Sequence, residues 1–224
     1  MYHGDGAYIL LLIVTAVLGM GTQAHIKRTY KKWSEIDGSD SGTGAEVARR
    51  MLDSMGANDV GIVRTSGHLS DYYDPRDNKL HLSDENFDGG SVASVAVACH
   101  EAGHAVQNAN GYAPMKIRTA IVPVVNFTQQ AWVFLFMLGL ITGMFGLAKI
   151  AVLLFAFSVV FQLVTLPVEI DASRRAVAYL GQSGSAIDER GARKVLTAAA
   201  LTYVAAALVS ILQLLYYASR VRER

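Results

Sequence analysis

The stretch WVFLFMLGLITGMFGLAKIAVLLFAFSVVFQLVTLPVE, residues 132–169, contains one basic residue, Lys149, and no acidic residue before its last position. It divides into two apolar segments, residues 132–147 and 150–168, each near the roughly 17 to 25 residues that cross a hydrocarbon core of about 30 Å. A short turn near residues 146–149 would join them. The stretch therefore predicts a hairpin of two membrane helices that leaves one face of the membrane and returns to it.

Two further apolar segments, residues 7–21 and 195–218, bring the number of candidate spans to four. The composition agrees, since 52% of the residues are hydrophobic and the mean hydropathy is +0.29. The first segment is short enough for a signal peptide, but signal peptides carry their positive charges before the apolar core. Here the basic residues Lys27 to Lys32 follow it. We therefore predict a retained anchor in a mainly α-helical integral membrane protein with about four transmembrane helices.

The distribution of basic residues indicates the orientation, because cytoplasmic loops carry an excess of Lys and Arg. With the N-terminus outside, sixteen of the twenty fall on the cytoplasmic side, and the other four are Lys149, Arg220, Arg222 and Arg224. The last three argue the other way, so either the tail is a short exception or the fourth segment does not cross fully. We predict an integral protein of the plasma membrane, the inner membrane in bacteria, with its polar region in the cytoplasm.

The charge balance excludes one class of function. Twenty Lys and Arg against nineteen Asp and Glu leave a net charge of +1, so no overall positive field would draw the chain to a polyanion. We therefore expect no nucleic-acid partner. The single cysteine also excludes an internal disulfide framework.

Between the first two spans lies a polar region with helix and strand patterns of its own. Thr43, with a glutamate three residues later, forms a capping box before a helix, and Ser91 is the expected N-cap of a second helix, residues 92–108. Residues 59–65 and 79–82 have the composition of short strands. The second strand is either an edge to which a substrate adds as an extra strand or an interior strand.

The second predicted helix contains the sequence HEAGH, from His100 to His104. Two histidines four residues apart stand on one face of a helix, so both imidazoles can bind one Zn²⁺. Glu101 between them projects to where a water molecule would lie, as in metallohydrolases with an HExxH motif. The motif predicts a catalytic zinc site with Glu101 as the general base.

A catalytic zinc site needs a third protein ligand and one open position. Residues 105–168 contain no His, Asp, Glu or Cys, and the carboxylates that follow are Glu169, Asp171, Asp188, Glu189 and Glu223. Glu169 directly follows an apolar segment, where an unpaired carboxylate is costly. The predicted hairpin would return it to the cytoplasmic side, near the HExxH helix. A zinc ion would satisfy this carboxylate, and so would an ion pair with Arg174 or Arg175.

These segments also carry a resemblance to a known family. HEAGH preceded by VAVAC, together with LSDYYDPRDNKLHLS, LPVEIDASRRA and KVLTAAALTYVAAA, resembles the YugP-like family of membrane zinc metallopeptidases over residues 43–212. More distantly, residues 169–173 are similar to the ExxAD segment of HtpX-like membrane proteases, whose first glutamate is the third zinc ligand. Ser173 stands where that pattern has Asp, so Asp171 is the neighbouring carboxylate that could support a zinc-bound histidine in its place.

The resemblance implies a gluzincin-like endopeptidase with one catalytic zinc ion, acting on peptides or membrane proteins near the inner leaflet of the bilayer. The expected layout is a membrane anchor (residues 1–33), a cytoplasmic α+β zincin-like domain (34–118) and membrane helices ending with the third ligand and the last span (119–224). Candidates for stabilising the oxyanion are Tyr72, Tyr73, Arg174 and Arg175. The two tyrosines lie beside an Asp-Pro turn, where packing is the other explanation.

Three alternatives stay open at this point. A catalytically inactive membrane scaffold or chaperone-like subunit would retain a zinc site, although such a protein would be expected to lack the base Glu101. A zinc hydrolase that cleaves another bond would have the same motif, because HExxH determines the water and not the substrate. Gly139 and Gly143 form a GxxxG pattern, which favours either a homo-oligomer or close packing within the chain. A regulatory membrane partner is equally open.

Overall fold

The computed structural model describes residues 4–38, 41–182 and 187–222. This part of the chain is mainly helical. Its helices are α1 (Gly4–Ser34), α2 (Gly44–Ser54), α3 (Asp84–Asp88), α4 (Val92–Ala109), α5 (Ala113–Thr142), α6 (Phe145–Gln182) and α7 (Glu189–Arg222). Its strands are β1 (Gly61–Thr65), β2 (Tyr72–Asp74) and β3 (Lys79–Ser83). Glu223 and Arg224, considered above, lie outside the described residues.

Among the described residues, four helices are long and apolar enough to cross a membrane, which confirms the predicted number of candidate spans. They cover Gly6–Ser34, Ala113–Gly139, Gly146–Gln182 and Glu189–Val221. Each is longer than its predicted apolar segment, because the helices continue into polar flanks that a search for apolar residues excludes. The largest shift of a helix start is in α5, which begins at Ala113 and not near Trp132, although Lys116 and Arg118 occupy its first turns.

The turn between α5 and α6 lies earlier than predicted. The prediction near residues 146–149 was wrong, because α5 ends at Thr142 and α6 begins at Phe145. Gly143 has a φ of 70°, a left-handed backbone conformation that glycine adopts without a steric penalty and that ends a helix. Lys149 therefore lies inside α6 and not in the turn.

The chain packs into two compact units, each described here by itself. The first, called the apolar unit, comprises Met1–Thr22, Ile117–Leu166 and Thr202–Arg224. The second, called the mixed unit, comprises Gln23–Lys116 and Pro167–Leu201. The predicted division at residues 33 and 118 stays a prediction. The packing does show that residues 167–201, from the predicted membrane part, share the unit of the polar region.

The mixed unit contains a three-stranded sheet in the order β1-β3-β2. β3 pairs in parallel with β1 and antiparallel with β2. It is therefore the central strand, and the alternative in which residues 79–82 form an edge that receives substrate was wrong. β2 was not predicted, because three residues are too few for an alternating pattern to be recognised.

The core of the mixed unit forms where α2 and the sheet pack with α4. Its fully buried side chains include Met51, Leu52, Leu80, Leu82 and Val95. The predicted helix starts are confirmed: Thr43 and Glu46 form the capping box of α2, and the Ser91 side chain accepts a hydrogen bond from the Ser94 backbone N–H at the start of α4. Capping satisfies backbone donors that a helix start leaves unpaired.

The apolar unit has a different interior. Trp132 of α5 packs on Phe155 of α6 with 4.8 Å between ring centroids, and Tyr217 of α7 lies 6.1 Å from the Trp132 ring. A Cβ on Gly139 would lie 3.0 Å from the Ala148 backbone nitrogen. The first glycine of the GxxxG pattern is thus used for close packing within the chain.

Candidate metal centre

Helix α4 presents the HExxH side chains from the interior of the mixed unit. The imidazoles of His100 and His104 lie with ring centroids 4.7 Å apart and planes at 79°. His104 and Glu101 are buried, and His100 is partly buried. One helical turn therefore brings both rings to the same small volume, as the four-residue spacing predicts.

Glu169 of α6 completes a cluster of three ligand side chains. Its Oε2 lies 3.2 Å from Nε2 of His100 and 3.6 Å from Nε2 of His104. The Glu169 side chain is only 2% exposed. One ligand atom from each of the three residues falls within 4.8 Å of the others. The structure thus brings together the three residues predicted to bind the metal.

The distances from Glu169 Oε2 to the two histidine nitrogens fit a tetrahedral zinc ion. Ligand atoms about 2.0 to 2.2 Å from the metal and at tetrahedral angles lie about 3.4 Å from one another. Two neutral nitrogens and one carboxylate oxygen are also a donor set that catalytic zinc sites use. The residues present therefore suit zinc in both chemistry and spacing.

Three other carboxylates considered for the third ligand, those within the described residues, have different partners. The Asp188 side chain accepts hydrogen bonds from the backbone N–H groups of Arg190 and Gly191, and Glu189 pairs with Arg193 at 2.6 Å. Both contacts belong to the first turn of α7, where acidic side chains are favoured by the helix dipole. Asp171 pairs with Arg175 at 2.6 Å.

A buried amide orients His104. The Gln107 side chain, fully buried, donates from Nε2 to the Val168 carbonyl and to Asp171 Oδ2, both at 2.8 Å. Since both partners are acceptors, this end of the amide must be the NH₂ group. Gln107 Oε1 then faces His104 Nδ1 at 3.1 Å and accepts its proton. The lone pair of His104 is therefore on Nε2, the atom that faces Glu169.

The serine that departs from the ExxAD pattern contacts the other histidine. Ser173 Oγ lies 3.1 Å from Nδ1 of His100, so both metal-facing Nε2 atoms belong to rings held through Nδ1. A hydroxyl stands in the place of the expected carboxylate. Asp171 contacts neither histidine of this site in the described part of the chain, and its support reaches His104 through Gln107. A hydrogen bond to the ring nitrogen that does not face the metal sets the tautomer and the orientation of a ligating histidine.

Gly103 allows α4 and α6 to approach at this point. A Cβ on Gly103 would lie 2.7 Å from the carbonyl oxygen of Ala172 and 3.1 Å from its Cα. Those atoms belong to backbone, which cannot turn away as a flexible side chain can. A hydrogen at this position thus lets the segment that carries Glu169 and Ser173 lie directly against the histidine helix.

Glu101 is held by the edge strand β2. Its Oε2 accepts a hydrogen bond from the backbone N–H of Tyr73 at 3.1 Å. The Tyr73 hydroxyl donates to Asn78 Oδ1 and accepts from Asn108 Nδ2, both at 2.9 Å. Burial raises the pKa of this phenol. The Tyr73 ring thus ties β2 to α4 and places a main-chain donor on the expected general base.

The remaining oxyanion candidates lie in more open surroundings. Tyr72 is 44% exposed, and its ring stacks on His81 at 4.5 Å. Arg174 is exposed, while Arg175 contacts Asp171 and lies over the Tyr112 ring at 5.9 Å. An oxyanion role for any of these side chains stays a prediction.

Two contributors were missed from the sequence. Gln107 follows His104 by three residues, so its polar side chain on the same face of an apolar helix was an available indication. The Tyr73 N–H has no signature, because a backbone donor is the same in every residue. Only the pairing of β2 with β3 directs it toward Glu101.

Comparison with known proteins agrees with this geometry. The chain matches the family described as "Putative neutral zinc metallopeptidase" over residues 8–222. It is 42% identical over 212 residues to the "Putative membrane protease YugP" of Bacillus subtilis (strain 168), a match covering 94% of each chain. No solved structure matches. This chain therefore belongs to the zinc metallopeptidase family that includes the YugP-like membrane proteins.

Proposed function

We propose that this protein is a zinc-dependent endopeptidase that hydrolyses peptide bonds of peptides or membrane proteins at the cytoplasmic face of the plasma membrane. The observation that carries the proposal is the convergence of Glu169 with the HExxH residues of α4. The family and the relative's name support a protease in a membrane. The bilayer and a peptide or membrane-protein substrate are the partners that this function requires.

Three side chains would hold one zinc ion. His100 and His104 would bind through Nε2, because each Nδ1 is engaged by Ser173 or Gln107, and Glu169 would supply one negative charge. A zinc ion bound there lowers the pKa of water and polarises a carbonyl group. The nearly complete burial of Glu169 keeps bulk water from competing for its oxygen.

Glu101 would move the protons of the reaction. As a carboxylate it takes a proton from the attacking water, and the resulting acid delivers a proton to the nitrogen of the leaving amine. The hydrogen bond from the Tyr73 N–H to Oε2 fixes one oxygen of the carboxylate.

Separating metal binding from catalysis tests this proposal. We expect Glu101→Gln to keep zinc, measured by elemental analysis of the purified protein, and to lose cleavage of a membrane-associated test peptide by at least about 100-fold. Glu169→Ala and His104→Ala should lose the metal. Glu35→Gln, an exposed residue of the same type, is the matched control.

Three outcomes would each contradict a specific part of the proposal. If Glu101→Gln still cleaved the peptide, the mechanism would be wrong. If the parent protein bound zinc but cleaved no peptide, the inactive scaffold or a hydrolase of another bond would be favoured. If Glu169→Ala bound zinc as tightly as the parent protein, the third ligand would have to be sought elsewhere.

The orientation has its own test. Cys99 is fully buried, so the parent protein offers a nearly unreactive background for labelling an introduced cysteine. Asn58 is exposed in the mixed unit. We expect Asn58→Cys in intact spheroplasts to react with a membrane-impermeant maleimide only after the membrane is permeabilised. Labelling without permeabilisation would place this unit outside the cell.

A further inference from the structure

A basic groove lies between the end of α1 and the start of α7, within the mixed unit. Its volume is about 530 Å³. Its basic lining residues are His25, Arg28, Lys32, Arg193 and Lys194. No acidic side chain of the described residues lines it. The groove therefore concentrates positive charge from two helices that are distant in sequence.

Trp33 organises this groove. Its ring is largely buried, and a Cβ on Gly191 would collide with it, so α7 lies directly against the indole. The ammonium groups of Lys32 and Lys194 lie 5.6 Å and 5.7 Å from the ring centroid. One ring thus holds a lysine of each helix near the same position.

Most of this charge is not neutralised by the protein. Arg193 pairs with Glu189 at 2.6 Å. Within residues 4–38, 41–182 and 187–222, Arg28, Lys32 and Lys194 form no ion pair. Several cations without a counterion around a concave surface attract an anion, and a phosphate group satisfies more than one of them at once.

The position of the groove along both helices indicates the source of that phosphate. In α1 the basic residues follow residues 6–24, which contain no charged side chain, and in α7 they precede residues 195–219, which contain none either. Segments of this length can cross a bilayer, so both sets of cations stand where a charge-free span ends. That level is occupied by lipid headgroups, and basic residues there attract anionic lipids.

We propose that this groove binds the headgroup phosphate of an anionic phospholipid. Thr29 and Thr197 also line it and supply hydroxyl donors, while Ala198 and Trp33 supply apolar surface. A headgroup phosphate with its glycerol and first methylenes presents the complementary groups, which are an anion and an apolar chain. The inference rests on α1 and α7 and is independent of the proposed peptidase activity.

Fluorescence of Trp33 in the full-length protein in neutral detergent tests the proposal. Because the chain has two tryptophans, Trp132→Phe leaves Trp33 as the reporter. In this background we expect saturable binding of dioctanoyl phosphatidylglycerol, and much weaker binding of dioctanoyl phosphatidylcholine and of inorganic phosphate. The triple variant Arg28→Gln, Lys32→Gln, Lys194→Gln should weaken phosphatidylglycerol binding about 100-fold, since each basic residue near an anionic lipid contributes about fivefold.

A matched triple variant distinguishes a specific lipid site in the groove from nonspecific electrostatic attraction of the anionic lipid. Lys27→Gln, Lys31→Gln and Arg190→Gln remove the same charge from exposed positions of the same two helices outside the groove lining. We expect these changes to leave the affinity within about threefold of the parent. Equal losses in the two triple variants would overturn the proposal, as would equal affinity for phosphatidylcholine. Binding of inorganic phosphate as tight as that of phosphatidylglycerol would assign the groove to a free anion instead.

Discussion

The mixed unit and the apolar unit are built from parts of the same long helices but satisfy their side chains in opposite ways. In the mixed unit, buried polar groups connect different elements, as Gln107 of α4 does with Asp171 of α6. In the apolar unit, the buried Thr128 hydroxyl donates to the Val125 carbonyl of its own helix at 3.0 Å. Large apolar side chains such as Phe134 and Ile141 are 65% and 78% exposed there.

This contrast indicates that the apolar unit requires lipid around it. Exposed apolar surface of that extent is stable when lipid covers it. The mixed unit has its own apolar core and can therefore hold charged groups such as Glu169 in fixed positions. Four paired comparisons, each with one position in each unit, test how far the contrast extends.

The largest difference is expected from truncating an apolar side chain. Leu80→Ala in the mixed unit removes a fully buried side chain and should cost about 2 to 5 kcal/mol of unfolding free energy. Phe134→Ala in the apolar unit should cost about 0.5 kcal/mol, because detergent or lipid replaces the contacts of an exposed ring. Thermal unfolding of both variants in the same detergent measures this. Similar midpoints for the two variants would mean that Phe134 is covered by protein.

Adding one methyl group to a helical glycine should have a smaller effect. Gly103→Ala forces α4 away from Ala172, so we expect a loss of about 1 to 3 kcal/mol together with weaker zinc binding. Gly19→Ala in the apolar unit meets nothing within 4 Å and should be neutral or slightly stabilising. Zinc titration and thermal unfolding test the pair. Unchanged zinc affinity in Gly103→Ala would show that the close approach is not required for the site.

Removing a buried polar group should also have different effects on zinc affinity in the two units. Gln107→Leu leaves His104 Nδ1 without its acceptor, so zinc affinity should fall about 10- to 100-fold. Thr128→Val removes a hydroxyl that, among the described residues, bonds only its own helix, and it should leave zinc affinity unchanged. Competition with a chelator of known affinity measures both variants. An unaltered zinc affinity in Gln107→Leu would contradict the orienting role assigned to the amide.

The smallest expected signal is the reaction of the native cysteine. Burial raises the pKa of Cys99 to about 12, so at pH 8 only about one thiol in ten thousand is ionised. Iodoacetamide should therefore leave the folded protein unlabelled at pH 8 and label it after denaturation. Ile141→Cys, near the end of α5, should react with N-ethylmaleimide in the folded protein. Rapid labelling of Cys99 would show that the interior around α4 opens.

Much of the site could be predicted because its chemistry depends on local spacing. His100 and His104 share a helix face whatever surrounds them, and Glu169 was distinguished by its position after an apolar segment. The helix starts at Thr43 and Ser91 were equally accessible, since a capping side chain acts within three residues. The turn after α5 was placed too late, because apolar residues continue on both sides of Gly143 and do not mark the break.

The amino-acid sequence by itself determined the apolar helices, the two imidazoles on one helix face and the first carboxylate after the hairpin, because these depend on hydropathy and on residues within a few turns of each other. The tertiary structure alone decided that Glu169 lies 3.2 Å from His100, that Gln107 orients His104, and that a backbone N–H of β2 reaches Glu101. Those contacts join residues from 28 to 69 positions apart or turn a side chain toward a partner that only packing supplies. No local pattern encodes them, since their energy depends on how closely α4, α6 and the sheet approach.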